Sequence, residues 1–214
     1  MRLELIRHGE TALQKEYRYQ GVTDAPLSPE GRETLRPAKF QPERVIVTPL
    51  QRTRETADIL FPGVPQLVIP GLQEMNFGCF EGKNYLEMEH DPDYRAWVDG
   101  MCLGRCPGGE SKEEYVRRVA SAFSALMERA LAERWQDCVI VAHGGTQMAL
   151  LERFATEKKD YYAWQLPCGR GYRLDASQWQ AHRRLSVLGQ TDYTEGEILS
   201  TVLLTNLLQQ KLTL

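Results

Sequence analysis

No stretch of this chain approaches the ~18 uninterrupted apolar residues that a membrane-spanning helix needs. The opening Met-Arg-Leu-Glu-Leu-Ile-Arg-His is too charged and too short in apolar residues for a secretory leader. The expected address is therefore the cytoplasm, with no membrane as partner. A dominant charge is also missing: 26 Lys+Arg stand against 29 Asp+Glu, a net charge of −3. Without a basic stripe beyond the short His182-Arg183-Arg184 cluster, nucleic acid is not an expected partner. Cysteine comes as an odd set of five with irregular spacing, which argues against a disulfide framework. Cys102 and Cys106 form a C-x3-C pair with Cys168 as a remote third ligand, but no second pair matches it. No metal site is expected. Histidine is scarce, with four copies, and two of them, His8 and His143, sit in Gly-flanked motifs.

What is present is ordinary globular material, 42% hydrophobic and 26% charged over 214 residues. That suits one domain, residues 1–214, burying roughly 70% of its unfolded surface. Short apolar runs rich in β-branched residues predict strands at Leu3 to Ile6, Val45 to Thr48, Leu67 to Ile69 and Val139 to Ala142, with a weaker one at Gly171 to Leu174. Their unalternating character fits strands covered on both faces. Helices are expected behind Ser28-Pro29, over Leu50 to Leu60, behind the Ser111/Glu114 capping box, and over Thr146 to Ala155. Alternation of this kind predicts a three-layer α/β/α sandwich with a mostly parallel central sheet. Residues 75–110, rich in Gly and aromatics, break the rhythm and read as a lid-like insertion. The tail 195–214 reads as an amphipathic helix, for its own domain or for a dimer contact, so the chain is expected as a monomer or homodimer.

In open α/β sheets ligands bind beyond the carboxyl ends of the strands. Three predicted strands end there in unusual chemistry: Arg7-His8-Gly9-Glu10-Thr11, Thr48-Pro49-Leu50-Gln51-Arg52-Thr53 and His143-Gly144-Gly145-Thr146. Two imidazoles and two guanidiniums then converge, with helix N-termini adding free N–H groups, a setting for a phosphate-like anion. Neighbouring guanidiniums disfavour protonation of an imidazole, which leaves a ring nitrogen free to attack phosphorus.

These motifs, with Arg18-Tyr19-Gln20-Gly21, Leu72-Gln73-Glu74 and Pro107-Gly108-Gly109-Glu110-Ser111, resemble the histidine phosphatase (phosphoglycerate mutase-like) superfamily over residues 2 to about 155. The resemblance implies a phosphomonoester hydrolase that needs no cofactor and takes a small phosphorylated metabolite. It implies His8 as nucleophile, and Arg7, Arg52 and His143 as ligands of the phosphoryl oxygens. Glu74 would be the general acid and then base, with Glu81 and Glu110 as reserve carboxylates. Gln14, Gln20, Gly21 and Gly144 would line the phosphate pocket. Two departures stand out: Leu13-Gln14 replaces the usual Trp-Asn, and Pro37 interrupts the helix after Ser28-Pro29.

The run Met75-Asn76-Phe77-Gly78-Cys79-Phe80-Glu81-Gly82 is similar to the phosphatase branch. The compact segment with Tyr85, Tyr94 and Trp97 resembles α-ribazole phosphatases of cobalamin synthesis. Broad-specificity sugar-phosphate or phosphoglycerate phosphatases and mutases are the alternative. A non-catalytic phospho-ligand binding module is the alternative of another class.

Overall fold

The apolar runs form one sheet because both of their faces are covered. In a computed structural model, which describes residues 1–194, β1 (Arg2–Arg7), β2 (Val45–Val47), β3 (Gln66–Val68) and β4 (Asp137–Ala142) lie parallel in the order β3-β2-β4-β1. Beyond β1 the sheet continues with two antiparallel strands, β5 (Arg170–Asp175) and β6 (Ser186–Asp192). On one face Leu3, Leu5, Ile46 and Ile140 belong to a cluster with Phe123, Leu126 and Leu150. On the other, Ile6, Val45, Val47, Val139 and Val141 pack with Ala57, Leu60 and Phe61. Alternate residues thus feed two cores, and the architecture is a three-layer α/β/α sandwich.

The helices follow their caps. α1 (Ala12–Lys15) is a single turn closed by a capping box between Thr11 and Gln14. α2 (Pro29–Thr34) starts from Ser28, whose hydroxyl accepts from the Gly31 N–H. It runs for only six residues, ending before Pro37, and Leu35 is already extended. α3 (Gln51–Leu60) covers one face of the sheet. α5 (Lys112–Ala132), opened by the Ser111/Glu114 box, and α6 (Gly144–Phe154) cover the other. Residues 75–110 leave the sheet and carry α4 (Pro92–Asp99), capped by Asp91. Within that excursion Phe80, Tyr94 and Trp97 pack on one another, and Tyr94 and Trp97 also on Tyr19, with ring centroids 5.5 to 6.3 Å apart. The short helix α7 (Trp179–His182) and β6 have no counterpart in the sequence expectations. The expected helix at 195–214 lies outside the described residues.

Register does the positioning. Arg7 pairs with Ala142 and Val47 with Val141, so the residues just past these strand ends stand side by side at one edge. The His8 N–H continues the ladder by donating to the Ala142 carbonyl at 3.0 Å.

Candidate active site

His8 and His143, one residue beyond β1 and β4, face each other with ring centroids 5.3 Å apart at an interplanar angle of 65°. Both are almost wholly buried. The His8 Nδ1–H donates to the Gly9 carbonyl at 2.6 Å, which fixes the tautomer and leaves the Nε2 lone pair uncommitted. His143 is fixed from its other side, where Thr48 Oγ1 lies 3.0 Å from Nε2. Thr53 directs its own hydroxyl proton to the Thr48 and Leu50 carbonyls, so the single Thr48 proton serves two neighbours, Thr53 Oγ1 at 2.9 Å and His143 Nε2 at 3.0 Å. On the ring's other side His143 Nδ1 is buried and has no partner in the protein.

Burial is the first cause holding both imidazoles well below the ordinary histidine pKa, with the Arg52 cation second. For His8 the Arg7 cation adds to this, and the Gly9 carbonyl pulls weakly the other way. The sequence pointed to the guanidiniums as the reason for neutrality; desolvation outweighs them.

Arg52 sits in the first turn of α3 with no exposed surface. Its two terminal nitrogens donate to the Gly21 and Thr23 carbonyls at 2.7 and 2.8 Å, and its Nε has no partner. Burial pushes its pKa down to about 10, opposed by Glu74, Glu81 and Asp24, so it remains a cation at neutral pH. Arg7 is held by the Leu166 carbonyl at 2.7 Å and also keeps an unpartnered buried Nε. Gly144 gives it room: a Cβ there would stand 3.3 Å from the Arg7 guanidinium. Gln20 accepts from the Thr11 hydroxyl at 2.6 Å through Oε1, which leaves its buried Nε2 free as well.

Arg7 Nε, Gln20 Nε2, Arg52 Nε and His143 Nδ1 are therefore four of the eight unpartnered buried side-chain polar atoms among the described residues. Buried donors are rarely left so, and a cluster of them asks for an anion. Magnitudes agree. At an effective dielectric of about 20, each unit charge within about 4 Å of a guanidinium gains on the order of 4 kcal/mol, against about 1 kcal/mol for a neutral hydrogen bond. Charge sets the ligand class.

Glu74 stands at the mouth, half-buried, and is gripped by its own chain neighbour and by two helices. Its Oε1 accepts from the Met75 N–H at 3.0 Å and the Tyr115 hydroxyl at 2.8 Å, and its Oε2 accepts from the Gly145 N–H at 2.9 Å. Beside it opens a cavity of about 320 Å³ walled by Tyr19, Phe77, Trp97, Tyr161 and Tyr162. Lys112 also lines this cavity, with its Nζ 3.9 Å from the Tyr161 ring centroid. A larger groove of about 1080 Å³ runs along α5, shares Lys112 with this cavity, and holds none of the site residues expected from the sequence.

Gln14 and Gly21 stand differently. Gln14 Oε1 is committed to the Thr11 N–H at 3.1 Å as the reciprocal half of the helix cap, so only its amide nitrogen remains to offer. Gly21 contributes its backbone, with its carbonyl on Arg52. Glu81 and Glu110 are not at the mouth: Glu110 is paired with Arg118 at 2.7 Å, and Glu81 accepts from the 21–23 turn. Sequence reasoning missed Thr48, Tyr115 and Thr56. Thr56 accepts from the Gly9 N–H at 2.9 Å and donates to the Arg52 carbonyl at 2.6 Å, tying the two charged strand ends together. For Thr48 and Thr56 the signal was the threonine repeated at 48, 53 and 56 around α3.

Among the described residues no group of three or more His, Cys, Asp or Glu is placed to hold a metal ion. No described helix is long and apolar enough to cross a membrane.

Residues 3–183 match the model of the histidine phosphatase superfamily, branch 1. The chain is 33% identical over 170 residues to the adenosylcobalamin/α-ribazole phosphatase of Salmonella typhimurium, covering 73% of this chain and 80% of that one. Among solved structures it is similar to the α-ribazole phosphatase of Shigella flexneri, with TM-score 0.76, 25% identity, and 92% of this chain and 98% of that one covered. It is also similar to a phosphoglycerate mutase of Thermus thermophilus, with TM-score 0.64, 29% identity, and coverage of 89% and 98%.

Proposed function

Because the chain belongs to the histidine phosphatase superfamily, as a hydrolase of small phosphorylated metabolites, we propose that it cleaves phosphomonoesters through a phosphohistidine on His8. The observation that carries this reading is the free Nε2 of His8 beside four unpartnered buried nitrogens. In the first step the Nε2 lone pair bonds to phosphorus as the P–O bond to the leaving alcohol breaks. Glu74, as the general acid, gives its carboxyl proton to the departing oxygen. Arg7, Arg52 and the His143 Nδ1–H hold the equatorial oxygens, where charge stabilisation is the largest contribution. In the second step Glu74, now a carboxylate, takes a proton from water, whose oxygen displaces His8 from phosphorus. Inorganic phosphate leaves, and the neutral imidazole is restored.

The aromatic walls beside Glu74 lie on the leaving-group side, and they support an alcohol that carries a flat ring. With the similarity to two α-ribazole phosphatases, this favours α-ribazole 5′-phosphate as substrate. Its benzimidazole would rest among Tyr19, Phe77, Trp97 and Tyr162, with the ribose toward Glu74. A phosphoglycerate or simple sugar phosphate would place its carboxylate or hydroxyls against the same rings, with Lys112 as the cation lining that cavity. A panel of α-ribazole 5′-phosphate, hexose phosphates and 3-phosphoglycerate, assayed in excess chelator, tests both levels. The expected order puts α-ribazole 5′-phosphate first in kcat/KM by at least about tenfold. Equal rates across the panel would remove the ring argument, and binding without turnover of any ester would make the protein a phospho-ligand binder.

A further inference from the structure

Glu81 is the most heavily hydrogen-bonded carboxylate near the site, yet it does not reach the mouth. Its two oxygens accept from the N–H groups of Gly21 at 3.1 Å, Val22 at 3.0 Å and Thr23 at 3.2 Å, from the Thr23 hydroxyl, and from the Phe77 N–H at 3.0 Å. The carbonyls of the same turn point the other way, Gly21 and Thr23 both accepting from Arg52. A three-residue turn is thus clamped between a carboxylate on its donors and a guanidinium on its acceptors. Nor can it slide, since a Cβ on Gly21 would fall 1.7 Å from the Met75 carbonyl oxygen.

Arg52 forms no salt bridge with a carboxylate among the described residues; these two carbonyls are its side-chain partners. The plane of its guanidinium, and so the aim of its free Nε, is set by a turn that Glu81 holds. We propose that Glu81 is a positioning residue for phosphoryl transfer, acting through the Gly21–Thr23 turn to orient Arg52. This rests on the reading that Arg52 grips the phosphoryl group. It also links residues 77–81 of the excursion to the phosphate cradle, because the Phe77 N–H shares the same carboxylate.

A Glu81→Gln variant keeps the volume but sets an amide NH₂ against the turn's own N–H groups. Displacements on the order of 1 Å at a reacting centre cost about 10²-fold in rate. The expected result is a 10- to 100-fold fall in kcat, and a similar weakening of inhibition by orthovanadate as an analogue of the pentavalent state, with KM moving less. The deciding measurement is a double-mutant cycle with Arg52→Lys. If Glu81 works through Arg52, Glu81→Gln costs at most about threefold once Arg52 is lysine. Independent, multiplying losses would overturn the proposal, as would a Glu81→Gln enzyme with wild-type kcat and vanadate inhibition. Should Glu81→Gln not fold, Thr23→Val removes one donor to Glu81, and the same cycle applies with smaller losses. An Arg52→Lys enzyme with wild-type turnover would instead refute the role of Arg52 itself, and that outcome is distinguishable from the first two.

Discussion

At the residue scale the two buried histidines have the same protonation state and different duties, and chemistry can tell them apart. In the proposed mechanism His8 offers the Nε2 lone pair that the Gly9 carbonyl leaves free, and His143 offers a proton from Nδ1, in the tautomer in which Thr48 donates to its Nε2. Rapid quench at neutral pH with a labelled ester should trap phosphate on the peptide holding His8, as an acid-labile, base-stable phosphoramidate. His8→Ala should lose both label and turnover. His143→Ala should lose about 10²- to 10³-fold in kcat while still labelling, the scale seen when one donor to a developing charge is removed. Label on His143, or near-normal turnover in His8→Ala, would reverse the assignment.

Neutrality has a second consequence. A histidine whose pKa is lowered by folding binds fewer protons in the native state than in the unfolded chain. Stability contributed by keeping it neutral is therefore complete above the unfolded value near 6.5 and is lost as pH falls below it. Unfolding by urea should show the free energy falling between pH 6.5 and pH 5 in the wild type. The slope should be clearly flatter in a His8→Asn/His143→Asn variant. Identical slopes would mean that neither imidazole resists protonation.

Elements carry what single residues cannot, and here the sequence was unevenly legible. β1, β2 and β4 could be read from Leu3 to Ile6, Val45 to Thr48 and Val139 to Ala142 because burial on both faces writes itself as an apolar run. β6 could not: Ser186–Asp192 is mostly polar, contains Gly189, and is a strand because β5 offers it an edge. The strand ends with Arg7, His8 and His143 were legible for the first reason, since a charged motif after a buried strand stands out. Glu74 lies after a short 3-10 turn (Pro70–Leu72) and came only from the resemblance. Its supports, Tyr115 on α5 and Gly145 on α6, look in sequence like an apolar stripe residue and a helix start.

That arrangement predicts a phenotype for a glycine. A Cβ at Gly145 would stand 2.2 Å from Glu74 Oε1 and 2.8 Å from the Tyr115 hydroxyl. Gly145→Ala should therefore push Glu74 aside and behave like Glu74→Gln. Both should slow alkyl esters by about 10²-fold or more and activated aryl esters far less, because only a poor leaving group needs the proton. Equal losses on both ester classes would mean that Glu74 shapes the mouth without delivering a proton.

For the whole molecule, the proposed reading gives the phosphate chemistry to the sandwich and the choice of alcohol to the segments packed over its edge. Arg7, His8, Arg52 and His143 come from strand ends and the first turn of α3, so on that reading they meet the phosphoryl group alone. Tyr19, Phe77 and Trp97 come from the loop after α1 and from the excursion, and Tyr161 and Tyr162 from the segment after α6. The two functions should separate by mutation. Tyr162 is 60% exposed, so its removal leaves the core intact. Tyr162→Ala should cost about 0.5–1.5 kcal/mol of ring contact, up to roughly tenfold in kcat/KM, toward α-ribazole 5′-phosphate. Hexose phosphates should change by less than about twofold, and KI for inorganic phosphate should not move. Loss on all esters alike would show that Tyr162 supports the mouth as a whole, whereas no loss on any ester would put the ring of the substrate outside this cavity.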